Sequence, residues 1–362
     1  MEISQIRYGF DIGGTKIEMA AYDRQLKQVL CQRISTPTGD YREFLSCIHQ
    51  LVEQADRELQ TQGSIGIGLP GVTDPRSRRQ LAVNVPCLTG HCLADDLAQA
   101  LARPVEIEND CRCFALSEAS TPQTDHLALV FGAIIGTGAG GGLVMNKQLH
   151  KGRNGLAGEW GHTPISAQLA QRYDLPLFTC NCGLTGCFER YVSGSGLLAL
   201  SRHFGHPAEN VPALIVSFRQ GEPLAQRLMA MYVDILASAL AGLQLLLDVD
   251  AFVLGGGLSN VGELYSLLPP SHESLAVARY RTGGSLPTGA RRQQRRTRRR
   301  ITTPKLAIKN MKRPPGKNQR CGFHPAFGKL TRATSCRLIN NELRLFTLFP
   351  STFRLRVNRK VC

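Results

Sequence analysis

Three short apolar runs in this chain each end in consecutive glycines, and that recurrence restricts the fold more than any other feature. Tyr8 to Ile12 runs into Gly13-Gly14, and Ala251 to Leu254 into Gly255-Gly256-Gly257. Between them, Leu127 to Ile135 runs into Gly136-Thr137-Gly138-Ala139-Gly140-Gly141-Gly142. Short runs rich in Ile, Val and Phe and closed by glycine read as buried strands. Glycine permits positive φ and close approach, so successive backbone N–H groups after such a strand form an anion-binding nest. One such turn is more often only a tight turn. Here the first is preceded by Asp11 and followed by Thr15 and Lys16, which adds a carboxylate for hydrated Mg²⁺, a hydroxyl and an ammonium. None of the three fits the Walker spacing or the spaced dinucleotide fingerprint. Together they predict a nucleotide in a cleft between two domains.

The segments around these turns alternate in period. Tyr41 to Leu59 places Phe44, Leu45, Ile48, Leu51, Val52 and Ala55 on one helical face. Ser64 to Leu69 reads as a strand closed by Pro70-Gly71, Phe114 to Ala119 as a helix, and Leu224 to Leu247 as a long apolar helix. The result is an α/β protein without a solenoid repeat.

Charge divides the chain. Residues 279–362 hold 23 basic residues and one acid, Glu342, whereas residues 1–278 hold 20 basic and 27 acidic residues. The net charge of +15 therefore describes the tail, and the mildly acidic body gives no reason to expect a specific nucleic-acid partner. The tail lacks an aromatic stacking pattern, so any binding to phosphate backbones there is incidental. No uninterrupted apolar run approaches the ~20 residues of a membrane span, and no secretory h-region is visible. A cytoplasmic protein is expected.

A second cluster starts at Glu159. His162, Cys180, Cys182 and Cys187 supply a full tetrahedral N/S set for a structural zinc, with no position left for water. That site pins Glu159 and Glu189, each within three residues of a ligand. Cys31, Cys47, Cys87 and Cys92 are expected to be free thiols in or near the core.

The ordered motifs Asp11-Ile-Gly-Gly-Thr-Lys16, Gly66-x-Gly68-x-Pro70-Gly71, Asn109-Asp110, Gly136 to Gly142, Glu159-x-x-His162, Cys180-x-Cys182-x4-Cys187-x-Glu189 and Leu254-Gly-Gly-Gly257 resemble the ROK-family sugar kinases over roughly residues 8–278. The resemblance implies a two-domain actin-like ATPase (ribonuclease H-like) fold with a cleft between domains. The small domain is expected over residues 1–116, the larger one with the zinc over 117–278, and the tail over 279–362. It implies ATP, Mg²⁺ and structural Zn²⁺, a homodimer as the family expectation, and phosphorylation of the 6-hydroxyl of N-acetyl-D-glucosamine. Glucose, mannose or N-acetylmannosamine is the alternative acceptor. By resemblance Asp110 is the catalytic base, and Gly71, Asn84, Asn109, Asp110, Glu159, His162 and Glu189 surround the sugar. Asp11, Gly13, Gly14, Thr15, Lys16, Gly136, Thr137, Gly138, Gly140, Gly255, Gly256 and Gly257 are expected around ATP. Asn109-Asp110 by itself also fits a plain helix N-cap.

Two departures stand out. The family has a small residue and then Asn after the base, where this chain has Cys111-Arg112. An Arg112 guanidinium turned into the site would weaken Asp110 as a base, and one turned away would not. The family also ends in a Gly-Asp-x-Gly-Gly-x-x-Gly-Ala turn and a helix packed on the first domain. After about Tyr280 this chain shows instead a basic stretch containing the run Arg291 to Arg300. One permitted codon choice for that run, read one base on, encodes Gly-Asp-Ser-Ser-Gly-Gly-Pro-Gly-Gly. A tail that is disordered or the product of a shifted frame is therefore expected, and with it an inactive remnant as an alternative function. A family-type repressor would need a helix-turn-helix before Asp11, for which there is no room.

Overall fold

The computed structural model describes residues 6–82 and 84–268 and the strand Leu345–Thr347. An antiparallel meander of β1 (Arg7–Ile12), β2 (Lys16–Tyr22) and β3 (Gln28–Ser35) leads into α1 (Tyr41–Leu59) and β4 (Ser64–Leu69). A small hairpin, β5 (Val72–Thr73) and β6 (Gln80–Leu81), then α2 (Leu93–Leu101) and β7 (Val105–Asn109) complete this half. The sheet order is β3-β2-β1-β4-β7, with β4 parallel to both β1 and β7. The apolar face of α1 read from the sequence is the face that is buried. Phe44, Ile48 and Val52 join Tyr8, Phe10, Ile65 and Ile67 in one core. Asp40 caps the helix by accepting from the Glu43 N–H, and Gln60 ends it in a left-handed conformation. Asp56 accepts from the Tyr8 hydroxyl at 2.8 Å and pairs with Arg103 at 2.7 Å, which ties the far end of α1 to the sheet.

The second half begins with α3 (Asp110–Glu118), β8 (Leu129–Ile135), β9 (Ala139–Met145) and β10 (Gln148–His150). It continues through α4 (Ala167–Tyr173), α5 (Glu189–Val192), α6 (Gly194–His203), α7 (Val211–Arg219), α8 (Pro223–Leu247), β11 (Ala251–Gly255) and β12 (Leu345–Thr347). The sheet order is β10-β9-β8-β11-β12, with β8 and β11 parallel. Leu228, Tyr232, Ile235 and Leu236 of α8 pack on Phe131, Tyr191 and Phe252. By length and composition α8 is apolar enough to cross a membrane, yet most of it lies inside this core. Near its middle Asp234 accepts from the Tyr173 hydroxyl and pairs with Arg172 at 3.5 Å.

Helix α3 packs on the second sheet through Ala115, Leu116 and Ala119 against Val130, Val144 and Val253. The chain thus passes from one sheet to the other at Asn109–Asp110, inside the segment read from the sequence as the end of the first domain. Disorder or a shifted frame in residues 279–362 lies outside the described residues. Only β12 of that tail is described, and it pairs antiparallel with β11 from Ala251↔Thr347 to Val253↔Leu345.

Close approach of α3 sets two expectations. A Cβ added at Gly142 would lie 2.8 Å from the Ala115 Cβ and 2.9 Å from the Arg112 Cα. Gly142→Ala should cost about 1–3 kcal/mol through overpacking. Gly242→Ala, in α8 with open space around it, should instead gain about 0.5–1 kcal/mol. Urea midpoints of the two variants read both signs, and equal shifts would contradict the packing argument.

Glu118, at the end of α3, is 2% exposed, and burial raises its pKa from 4.5 to about 7. The folded state keeps a proton that the unfolded chain releases, so this group's contribution to stability falls as pH rises between those two values. The loss amounts to about 3 kcal/mol. Glu118→Gln should flatten this decline, checked by denaturant midpoints at about pH 5 and about pH 8.

Candidate active site

The carboxyl ends of the parallel strands β1, β4 and β7 lie side by side, with Asp11↔Gly68 and Leu69↔Asn109 in register. In open α/β sheets this edge is where ligands sit. Asn109 caps α3, its side-chain oxygen accepting from the N–H groups of Cys111 at 2.9 Å and Arg112 at 3.3 Å. Its amide donates to the Gly71 carbonyl at 3.0 Å. The N-cap reading is therefore realised, and one amide N–H remains for a ligand. Asp110 follows in the first helical turn and accepts from the Cys111 N–H at 2.9 Å. Gly71 has φ +113°, and a Cβ there would meet the Leu81 carbonyl at 2.1 Å, so β6 presses directly on this turn.

Gly13 to Lys16 forms the hairpin turn between β1 and β2, closed by the Gly13 N–H donating to the Lys16 carbonyl at 2.9 Å. Thr15 is exposed at its tip, and Lys16 already opens β2 opposite Ser35. Thr36, which no sequence motif marked, donates from its hydroxyl to the Gly13 carbonyl at 2.7 Å. A Cβ on Gly14 would lie 2.6 Å from the Asn84 carbonyl oxygen. The turn read as a phosphate cradle and the exposed Asn84 read as a sugar contact are thus packed together.

The run from Gly136 to Gly142 is not one loop. Gly136 to Gly138 is the turn, with the Gly136 N–H donating to the Gly138 carbonyl at 3.0 Å, and Ala139 onward is strand β9. Within β9, an added Cβ on Gly140 would meet the Cys111 sulfur at 3.0 Å, and one on Gly255 in β11 would meet the Phe114 ring at 2.5 Å. Smallness at these two positions is required by α3. Gly256, at φ +85°, would place a Cβ 2.7 Å from the Gly136 nitrogen, so the second and third glycine turns touch, with Gly257 leading away. The Thr137 carbonyl accepts from the Ser195 hydroxyl at 2.8 Å and the Gly136 carbonyl from the Gly194 N–H at 2.7 Å, which anchors α6 here.

Glu159 and His162 flank a short helical turn laid on β9. The Trp160 indole donates to the Gly140 carbonyl at 2.7 Å, and a Cβ on Gly161 would meet the Ala139 carbonyl at 2.1 Å. Burial raises the pKa of Glu159, opposed by the charges of Arg112 and His162. The Arg112 orientation that the sequence left open is settled. Its guanidinium donates to Glu108 at 3.1 Å and to the carbonyls of Ala157 at 3.2 Å and Gly155, and lies 3.7 Å from Glu159. The spacing of Glu108 and Arg112, four apart across the start of α3, was the available signal for this pair.

The ligand atoms of His162, Cys180, Cys182 and Cys187 all lie within 4.8 Å of one another. The Cys182 and Cys187 sulfurs are 3.6 Å apart, as are the Cys180 sulfur and the His162 Nδ1. A tetrahedron with Zn–S bonds of about 2.3 Å has edges of about 3.8 Å, so the donor set fits the ion. Burial, then the neighbouring thiols, push the Cys187 thiol up to about 12, and a cation held among the sulfurs would oppose that shift. Glu189 spans two parts of the site. One oxygen accepts from the Ala139 N–H at 2.9 Å and the other lies 3.8 Å from the Cys180 sulfur.

These features place the carboxyl edge of the first sheet at the head of α3, which packs on the glycine-rich strands of the second. The family model of the ROK family matches residues 7–291, and the chain belongs to that family. The match stops where the arginine run begins. An N-acetylgalactosamine kinase of Shewanella sp. is 47% identical over 72% of this chain and 85% of its own length. N-acetyl-D-glucosamine kinases of Yersinia enterocolitica and Pectobacterium carotovorum are 40% and 42% identical, over 75% and 72% of this chain and 91% and 87% of their own lengths. The ROK hexokinase of Thermus thermophilus superposes with TM-score 0.66 at 28% identity, covering 78% of this chain and 91% of that one. A Streptomyces griseus ROK glucokinase, solved with glucose and AMPPNP, superposes with TM-score 0.60 at 26% identity over 75% and 90% of the two chains. The fold is the actin-like ATPase fold.

Proposed function

We propose that the protein transfers the γ-phosphoryl group of ATP to the 6-hydroxyl of N-acetyl-D-glucosamine. The observation carrying this reading is the position of Asp110. It heads α3 at the carboxyl edge of the first sheet, while strand glycines of the second sheet (Gly132, Gly140, Gly142 and Gly255) lie against the same helix and the Gly136 and Gly256 turns touch one another at the end of that sheet. Asp110 accepts the proton of the 6-hydroxyl as that oxygen attacks, and its main service is to orient the nucleophile in line. Asn109, Asn84, Glu159, His162 and Glu189 supply the donors and acceptors that a polyhydroxyl ring needs for rejection of wrong epimers. Asp11, Thr15 and Lys16 on one side, and Gly136, Thr137, Gly138, Gly256 and Gly257 on the other, hold the nucleotide. Mg²⁺, when bound near Asp11, neutralises phosphate charge.

A second acceptor, N-acetyl-D-galactosamine, is favoured by the 47% identical Shewanella relative. The two sugars differ only in the configuration at C4. The reaction belongs in the cytoplasm, where ATP is available, and the protein acts as a homodimer.

ADP release with N-acetylglucosamine, N-acetylgalactosamine, N-acetylmannosamine, glucose and mannose tests this reading directly. Turnover should be highest with an N-acetylhexosamine, and Asp110→Asn should lower kcat by about 10²–10⁴-fold. Turnover unchanged by that substitution, or absent with every sugar, rejects the proposal.

Zinc is proposed as a structural ion held by His162, Cys180, Cys182 and Cys187. Purified protein should contain about one zinc per chain. Cys187→Ser should remove it and lower the thermal midpoint, because metal binding and folding are coupled. A zinc-free protein with unchanged melting would refute the assignment.

A further inference from the structure

Arg112 has no task in the chemistry above, yet it is among the most heavily bonded side chains in the site. It is 3% exposed, and its three nitrogens point in three directions. Nε donates to the Ala157 carbonyl at 3.2 Å, Nη1 to the Glu108 carboxylate at 3.1 Å, and Nη2 to the Gly155 carbonyl while lying 3.7 Å from Glu159. The stem crosses β9 at Gly142, where an added Cβ would lie 3.4 Å from the Arg112 Cγ. Gly155 has φ +65°, and a Cβ there would lie 3.7 Å from the Thr73 carbonyl oxygen and 3.8 Å from a Val72 methyl of β5. Glu108 belongs to β7 in the first sheet and receives Lys151 from the same segment at 2.7 Å. One guanidinium therefore joins the strand before the base, the helix that carries it and the segment that ends in Glu159.

We infer that Arg112 is a positioning residue for the acceptor sugar, holding residues 155–159 so that Glu159 is presented to the ring beside Asp110. The inference rests on the sugar-kinase reading. It follows from geometry because residues 155 and 157 offer only carbonyl oxygens to the guanidinium, and a planar fork with donors on three edges satisfies both while pairing with Glu108. A lysine ammonium is a single point charge and cannot span these partners at once. Arg112 touches no reacting atom. Its effect passes through Glu159, and so it should fall on sugar affinity.

The test is steady-state kinetics of the full chain, wild type against Arg112→Lys and Arg112→Met. The KM for the sugar should rise at least about tenfold in both, while the KM for ATP stays within about twofold and kcat falls less than the sugar KM rises. Combining Arg112→Met with Glu159→Gln should be no worse than about threefold beyond Glu159→Gln alone, since coupled residues do not add. If Arg112→Met fails to fold because the buried Glu108 loses the guanidinium and keeps Lys151 as its charged partner, the Glu108→Gln/Arg112→Met variant removes both charges and is read in its place. An unchanged sugar KM in Arg112→Lys, or additive losses in the double variant, overturns the inference while leaving the kinase reading intact. Wild-type protein that phosphorylates no sugar overturns both.

Discussion

Helix α3 lies on the second sheet with Gly132, Gly142 and Gly255 beneath it. A Cβ at any of the three would come within 2.9 Å of the helix's atoms. This close approach is the constraint on which the cleft depends. It brings the first turn of α3, with Asp110, to the edge where the first sheet's parallel strands end. The same layer includes Gly140 of β9, where an added Cβ would meet the Cys111 sulfur at 3.0 Å. Protein interiors are packed too densely to absorb an added methyl without movement. Small changes in this layer therefore displace Asp110 relative to the second sheet, although none of these glycines needs to touch a ligand to have that effect.

The Asn109 cap works in the same direction. Its oxygen satisfies two of the orphan N–H groups at the helix start, and its amide reaches back to Gly71. One residue thus fixes where the strand stops, where the helix begins and how the Pro70-Gly71 turn lies beside them. A choice between helix cap and ligand contact was too sharp, because an amide has enough hydrogen-bonding capacity for both.

Much of this arrangement was legible from residue order. The helix at Tyr41 to Leu59 follows from its apolar spacing, and the clustering of His162 with Cys180, Cys182 and Cys187 from Cys and His spacing. Contact between the second and third glycine turns accords with their recurrence after neighbouring strands. What could not be read was the division of labour among glycines. Gly136, Gly140 and Gly142 look alike in sequence, but one sits in a turn and two lie under a helix whose position depends on long-range packing. The β9 strand was hidden for the same reason, since a glycine-rich strand has no alternating side chains to announce it. The direction of Arg112 was hidden in part, because, Glu108 apart, its partners come from a segment some forty residues away in sequence.

The His162, Cys180, Cys182 and Cys187 cluster and the β8–β9 hairpin are joined by Glu189, which follows Cys187 by two residues and accepts from Ala139 at the start of β9. Whatever orders that cluster also steadies the hairpin through this carboxylate.

By length and composition alone α8 would pass for a membrane span, yet most of it is buried, and Phe131 and Tyr191, on which it packs, precede it in the chain. Asp234, near the middle of that segment, opposes membrane insertion, since an aspartate at the centre of a spanning helix costs about 2.5–3.5 kcal/mol on insertion scales. In the folded protein the same carboxylate is satisfied by Tyr173 and Arg172. A charge that looks misplaced in an apolar helix thus weighs against a membrane span, and the fold supplies its partners.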